Sequence, residues 1–158
     1  MGLFRVDEVF QIAMQAEETG RLLYEALADQ AVEPALKTLC RQLANQEAAH
    51  YQTFKALKDA LANRTDQRRL SLEEMDFVAG LVQGKVVPNE AQARRLAREN
   101  NLPAVLDMAI RAEIDSQAFY RQILPGVEGS DALAIQRIIE EEKHHQYQLE
   151  KVRATMMA

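Results

Sequence analysis

The most constraining feature of this sequence is a carboxylate in the middle of each of four otherwise apolar helical stripes. Steps of three and four residues place side chains on one face of a helix. Read in such steps, four stretches of the chain give apolar stripes. A glutamate interrupts each stripe near its centre, and in the second and fourth a histidine follows three residues later. These polar residues are Glu17, Glu47, His50, Glu113, Glu142 and His145.

The four stripes also repeat as two pairs. The first is Phe10, Ala13, Glu17, Gly20, Tyr24 and Leu27, and the third is Leu106, Ala109, Glu113, Ser116, Tyr120 and Ile123. The second is Leu36, Cys40, Leu43, Glu47, His50, Phe54, Leu57 and Leu61, and the fourth is Ile135, Ile138, Glu142, His145, Leu149, Val152 and Met156. The first and third stripes match at an offset of 96 residues, and the other two at 95. This pattern is typical of a duplicated helical hairpin.

Local signals set the boundaries of four long helices. Pro34 suits an opening turn, Asn101 is a good N-cap with Pro103 in the first turn, and Gly129-Ser130 introduces the last helix. Pro125-Gly126 ends the helix before it. We expect helices over about residues 7–29, 34–62, 101–124 and 129–156. Beta signals are nearly absent, so the sequence predicts an all-α fold.

Roughly forty residues separate the second and third long helices, and they do not resemble a linker. Ser71–Glu74 forms a capping box, and Phe77, Leu81 and Val82 give a short helix an apolar face. A second short helix should follow Pro88-Asn89 and run to about residue 96. A long helical crossover between helices 2 and 3 is characteristic of a ferritin-like four-helix bundle.

The four core glutamates need a partner that neutralises them. Each carboxylate in a dry core costs several kcal/mol of desolvation, before mutual repulsion, against a net stability of roughly 5–15 kcal/mol. The carboxylates could be protonated, could pair with buried Arg or Lys, or could bind cations. The stripes carry no Arg or Lys at these levels. Two divalent metal ions would cancel four negative charges, and one imidazole would complete each ion, so the pattern favours a two-metal site.

The fourth helix offers two Glu-x-x-His frames, Glu142 with His145 and Glu141 with His144. The second frame shares its face with polar residues, namely Arg137, Gln148 and Lys151. The same test prefers Glu17 to Glu18. We therefore expect surface charges at Glu140, Glu141 and Lys143.

These motifs resemble the rubrerythrin-like branch of the ferritin-like di-iron carboxylate proteins. The matching pieces are Glu17-x6-Tyr24, Glu47-x2-His50, Glu113-x6-Tyr120 and Glu142-x2-His145. The resemblance covers the four long helices and implies a single domain over residues 1–158. It implies that Glu47 and Glu142 bridge two iron ions, that Glu17 and Glu113 are terminal ligands, and that each histidine binds one ion. Tyr24 and Tyr120 would hydrogen-bond beside the site.

The resemblance also implies a chemistry, namely reaction of the reduced metal pair with hydrogen peroxide or dioxygen. The ligand set suits iron or manganese, and zinc can occupy it. Cys40 alone cannot form the four-cysteine site of rubrerythrins proper, so an external electron donor is expected. Ser116 replaces a further carboxylate that rubrerythrins carry. Iron oxidation or storage, a metal-cemented interaction module and an oxygenase acting on a small organic molecule stay open as alternatives.

Composition excludes several other roles. The formal net charge of −5 argues against a nucleic-acid partner or an anionic membrane surface. No apolar run approaches a membrane span or a signal peptide. A single cysteine allows no intramolecular disulfide, which suits a reducing cytoplasm. Association as a homodimer is expected from the family resemblance alone.

Overall fold

The computed structural model describes residues 6–62, 90–99 and 101–157, and nearly all of these residues are helical, with no β-strand among them. The helices are α1 (Val6–Gln30), α2 (Pro34–Ala62), α3 (Glu90–Arg98), α4 (Leu102–Ile123) and α5 (Gly129–Met157), with a 3₁₀ turn at Leu124–Gly126. The expected all-α fold is confirmed, and the long helices agree with the sequence boundaries to within a residue or two. The short helix expected after Ser71 lies outside the described residues.

The helix ends follow the local chemistry that the sequence indicated. The side chain of Asn101 accepts a hydrogen bond from the Ala104 amide at 3.4 Å, which caps α4. Pro103 lies in the first turn, where its missing N–H is not needed. Gly129 has φ +62°, a left-handed conformation that favours glycine, and α5 begins there.

The long helices pack as two hairpins, α1 with α2 and α4 with α5. Helix α1 also packs on α4, and α2 on α5, so the four helices enclose one core. The short crossover helix α3 lies against α1 and α4 of the same chain. None of the described helices combines the length and apolar character needed to cross a membrane.

Two apolar clusters fill the ends of the bundle. One is built around Phe10, Phe54, Phe119, Tyr120 and Ile135. The other is built around Leu23, Leu27, Cys40, Leu106 and Leu149. The residues of the four helical stripes are all buried except Leu61, Ser116, Val152 and Met156, which are partly buried. On each long helix the polar stripe residues fall between members of the two clusters, as Glu17 does between Ala13 and Leu23, so the six form a layer between the clusters.

Candidate metal centre

The six predicted site residues meet in this buried polar layer. Their exposed fractions are all 4% or less. They form two groups whose candidate ligand atoms lie within 4.8 Å of one another in each group. One group is Glu17, Glu47, His50 and Glu142, and the other is Glu47, Glu113, Glu142 and His145. Glu47 and Glu142 belong to both groups, as bridging ligands would.

Each histidine turns its Nδ1 atom toward the carboxylates. His50 Nδ1 lies 2.8 Å from Glu142 Oε1 and 3.5 Å from Glu17 Oε2. His145 Nδ1 lies 3.2 Å from Glu47 Oε1 and 3.4 Å from Glu113 Oε1. The two rings stack with centroids 5.8 Å apart. Each ligand group therefore includes one nitrogen donor.

Two buried tyrosines hold the outer glutamates from the opposite helix. The Tyr120 hydroxyl donates to Glu17 Oε1 at 2.5 Å, and the Tyr24 hydroxyl donates to Glu113 Oε1. Burial and the neighbouring carboxylates raise the pKa of both phenols well above 10, so they remain protonated donors. The structure thus places both residues beside the site, as the resemblance implied, and each contacts the glutamate of the other helix.

The outer nitrogens of the histidines reveal two contacts that the sequence reasoning missed. His50 Nε2 donates to Glu141 Oε2 at 2.6 Å, and His145 Nε2 donates to Gln46 Oε1. Glu141 lies at the surface as expected, but the sequence did not indicate that its carboxylate also reaches across to α2. The internal repeat could have indicated that these two residues play similar roles, because the 95-residue offset aligns Gln46 with Glu141. His144 is exposed, which agrees with the choice of Glu142 and His145 rather than Glu141 and His144 as the inward-facing pair.

Crowding of four carboxylates makes them take very different pKa values. Burial and repulsion from the other glutamates raise the pKa of Glu47 and Glu142 well above 4.5. Burial opposes ionisation of Glu17 too, but contacts with Glu47, His50 and Tyr120 lower its pKa to about 2. Burial disfavours charged histidine, yet the surrounding carboxylates raise the pKa of His50 to about 12 and that of His145 to about 10. In the metal-free protein, protons therefore do the neutralising.

Several polar atoms of this layer form no hydrogen bond, and such atoms are free to bind metal ions. They are Glu17 Oε2, Glu47 Oε1, Glu113 Oε2 and His145 Nδ1. Buried polar atoms are normally satisfied, and unpaired ones are costly. Oxygen and imidazole donors in this ratio suit hard or borderline divalent ions. The residues therefore fit a pair of metal ions, which would engage atoms that form no hydrogen bond within the protein.

A small cavity lies beside the glutamates. Its walls include Gly20, Tyr24, Glu47, Glu113 and Ser116. The space open to the centre of a water molecule is about 10 Å³. That volume holds about one water molecule. A Cβ at Gly20 would stand 3.1 Å from Glu47 Oε2, so the glycine leaves room for that carboxylate. The cavity can admit a very small molecule and little else.

The stability of the metal-free protein is expected to fall as pH rises from about 6.5 to about 10. The raised pKa values of His50 and His145 mean that the folded state binds more protons than the unfolded state in this window. The raised pKa values of Glu47 and Glu142 act in the same direction above pH 4.5. The histidine contribution is complete below 6.5 and disappears as pH passes the folded pKa values. Each proton difference is worth about 1.4 kcal/mol per pH unit. Glu17 has the opposite sign, but it acts below pH 4.5.

Urea unfolding in the presence of a chelator, at pH 6.5 and pH 9.5, measures this dependence. The protein with bound metal is the control and should show a weaker decline, because metal ions replace those protons. A free energy of unfolding that stays level or increases over this window in the chelated protein would contradict the assignment of protonated groups.

Comparisons with known proteins agree with this geometry. A sequence model described as Rubrerythrin matches residues 8–153. A solved structure of a ferritin-like diiron-carboxylate protein from Thermotoga maritima is similar to this chain with a TM-score of 0.72 and 24% identity, covering 98% of this chain and 97% of that one. A hypothetical protein from Pyrococcus furiosus aligns with a TM-score of 0.70 and 17% identity, covering 98% and 91%. No curated protein matches the sequence. The two structures support the ferritin-like fold.

Proposed function

Because the chain belongs to the rubrerythrin family, we propose that it is a di-iron or di-manganese oxidoreductase that reduces hydrogen peroxide or dioxygen with electrons from an external donor. The observation that carries the proposal is the layer of four buried glutamates and two histidines, arranged as two ligand groups that share two carboxylates. The similar protein from Thermotoga maritima is described as a diiron-carboxylate protein, which agrees with this choice of cofactor.

The proposed ligand roles follow the two groups. Glu47 and Glu142 belong to both groups, so each would contribute to holding both metal ions. Glu17 and Glu113 each hold one ion from the outside, fixed by the tyrosine hydroxyl of the opposite helix. Each histidine gives Nδ1 to one ion. Two divalent ions balance the four carboxylate charges, and iron or manganese suits such an oxygen-rich set better than softer metals, although zinc can bind there.

The bound metal pair would supply two electrons to hydrogen peroxide. These two electrons and two protons would convert one hydrogen peroxide molecule into two water molecules. The protein's share is to hold the carboxylates and to exclude larger molecules. Protonated Tyr24 and Tyr120 restrain the outer glutamates. The cavity bounded by Gly20 and Ser116 has room for a molecule of the size of water, which favours peroxide or dioxygen over an organic substrate.

The electrons must return to the metal pair from elsewhere. Cys40 is the only cysteine of the sequence, and it is buried. Burial raises its pKa to about 12, so it is a poor thiolate nucleophile or metal ligand. A four-cysteine iron site cannot form from this chain, and we propose a separate reductant.

Rapid mixing of peroxide with the iron-loaded protein tests the proposal. Protein holding two Fe²⁺ per chain is mixed anaerobically with one equivalent of hydrogen peroxide per metal pair. We expect both ferrous ions to be oxidised within one turnover, at least about tenfold faster than the same concentration of free Fe²⁺, because the ligands preorganise the pair. The Glu47→Gln/Glu142→Gln variant is the control. Oxidation no faster than that of free iron would overturn the proposal.

Ser116 favours a second candidate, an iron-oxidising or iron-holding protein without an organic substrate. It occupies the position where rubrerythrins proper carry an additional carboxylate, so the chain lacks one ligand expected of their peroxide cycle. Uptake of iron beyond two ions per chain, measured by elemental analysis after aerobic loading, would favour this function. A fixed ratio of two would favour the peroxide reaction.

We also propose a homodimer in the cytoplasm with no nucleic-acid or membrane partner. Family resemblance supports the dimer, and the buried, unpaired Cys40 agrees with a reducing compartment. The formal charge of −5 agrees with the absence of polyanionic partners. Sedimentation of the metal-loaded protein would measure its state of association.

A further inference from the structure

The two histidines have outer partners of different charge. His50 Nε2 donates to the carboxylate of Glu141 at 2.6 Å, whereas His145 Nε2 donates to the amide oxygen of Gln46. In both cases the acceptor fixes the proton on Nε2, so that the lone pair of a neutral ring lies on Nδ1 and faces the glutamates. One of these acceptors carries a full negative charge and the other carries none.

Several other features around the two histidines are matched by the internal repeat. Glu17 corresponds to Glu113, and each accepts a tyrosine hydroxyl from the opposite helix. Glu47 and Glu142 correspond to each other and are shared by both ligand groups. The difference between Glu141 and Gln46 is therefore a departure from this repeat, and it changes the charge of the outer partner of one histidine.

A carboxylate acceptor strengthens the ligand that donates to it. Hydrogen bonds with an ionised partner are about twice as strong as neutral ones. Transfer of electron density through the ring makes Nδ1 of His50 a better donor than Nδ1 of His145. The charge of Glu141 also attracts a cation to the His50 end directly.

We propose that the two metal positions are unequal, and that the His50 position binds its divalent ion first because Glu141 supports that histidine. Glu141 is a positioning residue, since it acts on the metal through His50. This inference depends on the two-metal site of the proposed function. It adds an order of loading, in which a protein with one ion per chain holds that ion beside Glu17 and His50.

Titration of the metal-free full-length chain with Co²⁺ tests the inference. Visible absorption and calorimetry should resolve two steps whose dissociation constants differ by about tenfold or more, because an outer partner of a ligand changes metal affinity about 10- to 100-fold. Glu141→Gln makes the two ends alike, and we expect it to weaken the first step by about tenfold. Gln46→Glu should strengthen the second step by a similar factor. Both positions lie at the surface, Gln46 exposed and Glu141 half-buried, so folding should survive.

Glu140→Gln is the matched control, because it removes the same charge from an exposed neighbour that does not reach His50. Its affinities should stay within about threefold of the wild type, as expected for a screened surface charge. Proton NMR at one Co²⁺ per chain gives a readout independent of stability. A single shifted, exchangeable imidazole N–H signal is expected in the wild type, and two of comparable intensity in Glu141→Gln.

The outcomes separate this inference from the function on which it rests. Two indistinguishable steps in the wild type, or equal effects of Glu141→Gln and Glu140→Gln, would overturn the unequal sites and leave the peroxide reaction standing. If the two cobalt sites are unequal but the iron-loaded protein does not react with peroxide, the inference of unequal sites stands and the proposed peroxide reaction is wrong. Failure to bind cobalt at all would overturn both.

Discussion

The double substitution Glu47→Ala/Glu142→Ala is expected to abolish tight binding of both metal ions. These two glutamates are the residues common to the two ligand groups, so each metal position would lose two of its three carboxylates. Loss of even an outer partner of a ligand costs about 10- to 100-fold in metal affinity, and a direct ligand should cost at least as much. We therefore expect the dissociation constants to rise at least about a thousandfold.

Elemental analysis of the purified variant measures this effect, with two ions per chain expected in the wild type and none in the variant. Because alanine leaves cavities in the core, Glu47→Gln/Glu142→Gln provides a variant of nearly unchanged shape that also lacks the two charges. The control is Glu18→Ala/Glu140→Ala, which removes two acidic neighbours outside the buried layer and should keep both ions. Two metal ions per chain in the alanine or the glutamine variant would refute the ligand assignment.

Removal of the metal ions is expected to lower the melting temperature by about 15–30 °C. An ion present at about a thousand times its dissociation constant stabilises the folded state by about 4 kcal/mol, so two ions contribute about 8 kcal/mol. For a chain of this size, each kcal/mol corresponds to about 2–4 °C. The structural reason is that one oxygen each of Glu17, Glu47 and Glu113 forms no hydrogen bond within the protein, so these oxygens depend on the cations.

Thermal unfolding followed by circular dichroism compares chelated and metal-reconstituted protein at the same pH. The Glu47→Gln/Glu142→Gln variant serves as control, since its melting temperature should not respond to added metal. A difference of only a few degrees between the two wild-type forms, with two ions bound in one of them, would show that the ions contribute little to the fold.

The sequence predicted the long helices and their buried faces well. Pro34, Asn101 and Gly129 mark helix starts through backbone chemistry that depends on neighbouring residues only, so these boundaries did not require a structure. The alternation of three- and four-residue steps identified the buried face, because helical periodicity is also local. The choice of Glu142 over Glu141 as the residue that faces the core was correct for this reason.

The contacts between side chains on different helices were harder to predict from the sequence. Tyr24 follows Glu17 by seven positions on one helix, yet it donates to Glu113 on another helix. Glu141 lies off the core stripe of α5, but its side chain is long enough to reach His50 on α2. Neither contact follows from the spacing of residues along one helix.

By itself, the sequence determined which side chains point into the bundle, since the angle of a residue around its own helix depends only on the position along it. Only the tertiary structure decided which atoms meet. The pairing of each tyrosine with the opposite glutamate, the orientation of both Nδ1 atoms inward and the unequal partners of the two histidines depend on the register between helices. That register is set by packing of the apolar clusters at both ends of the bundle, which involves residues distant in the chain.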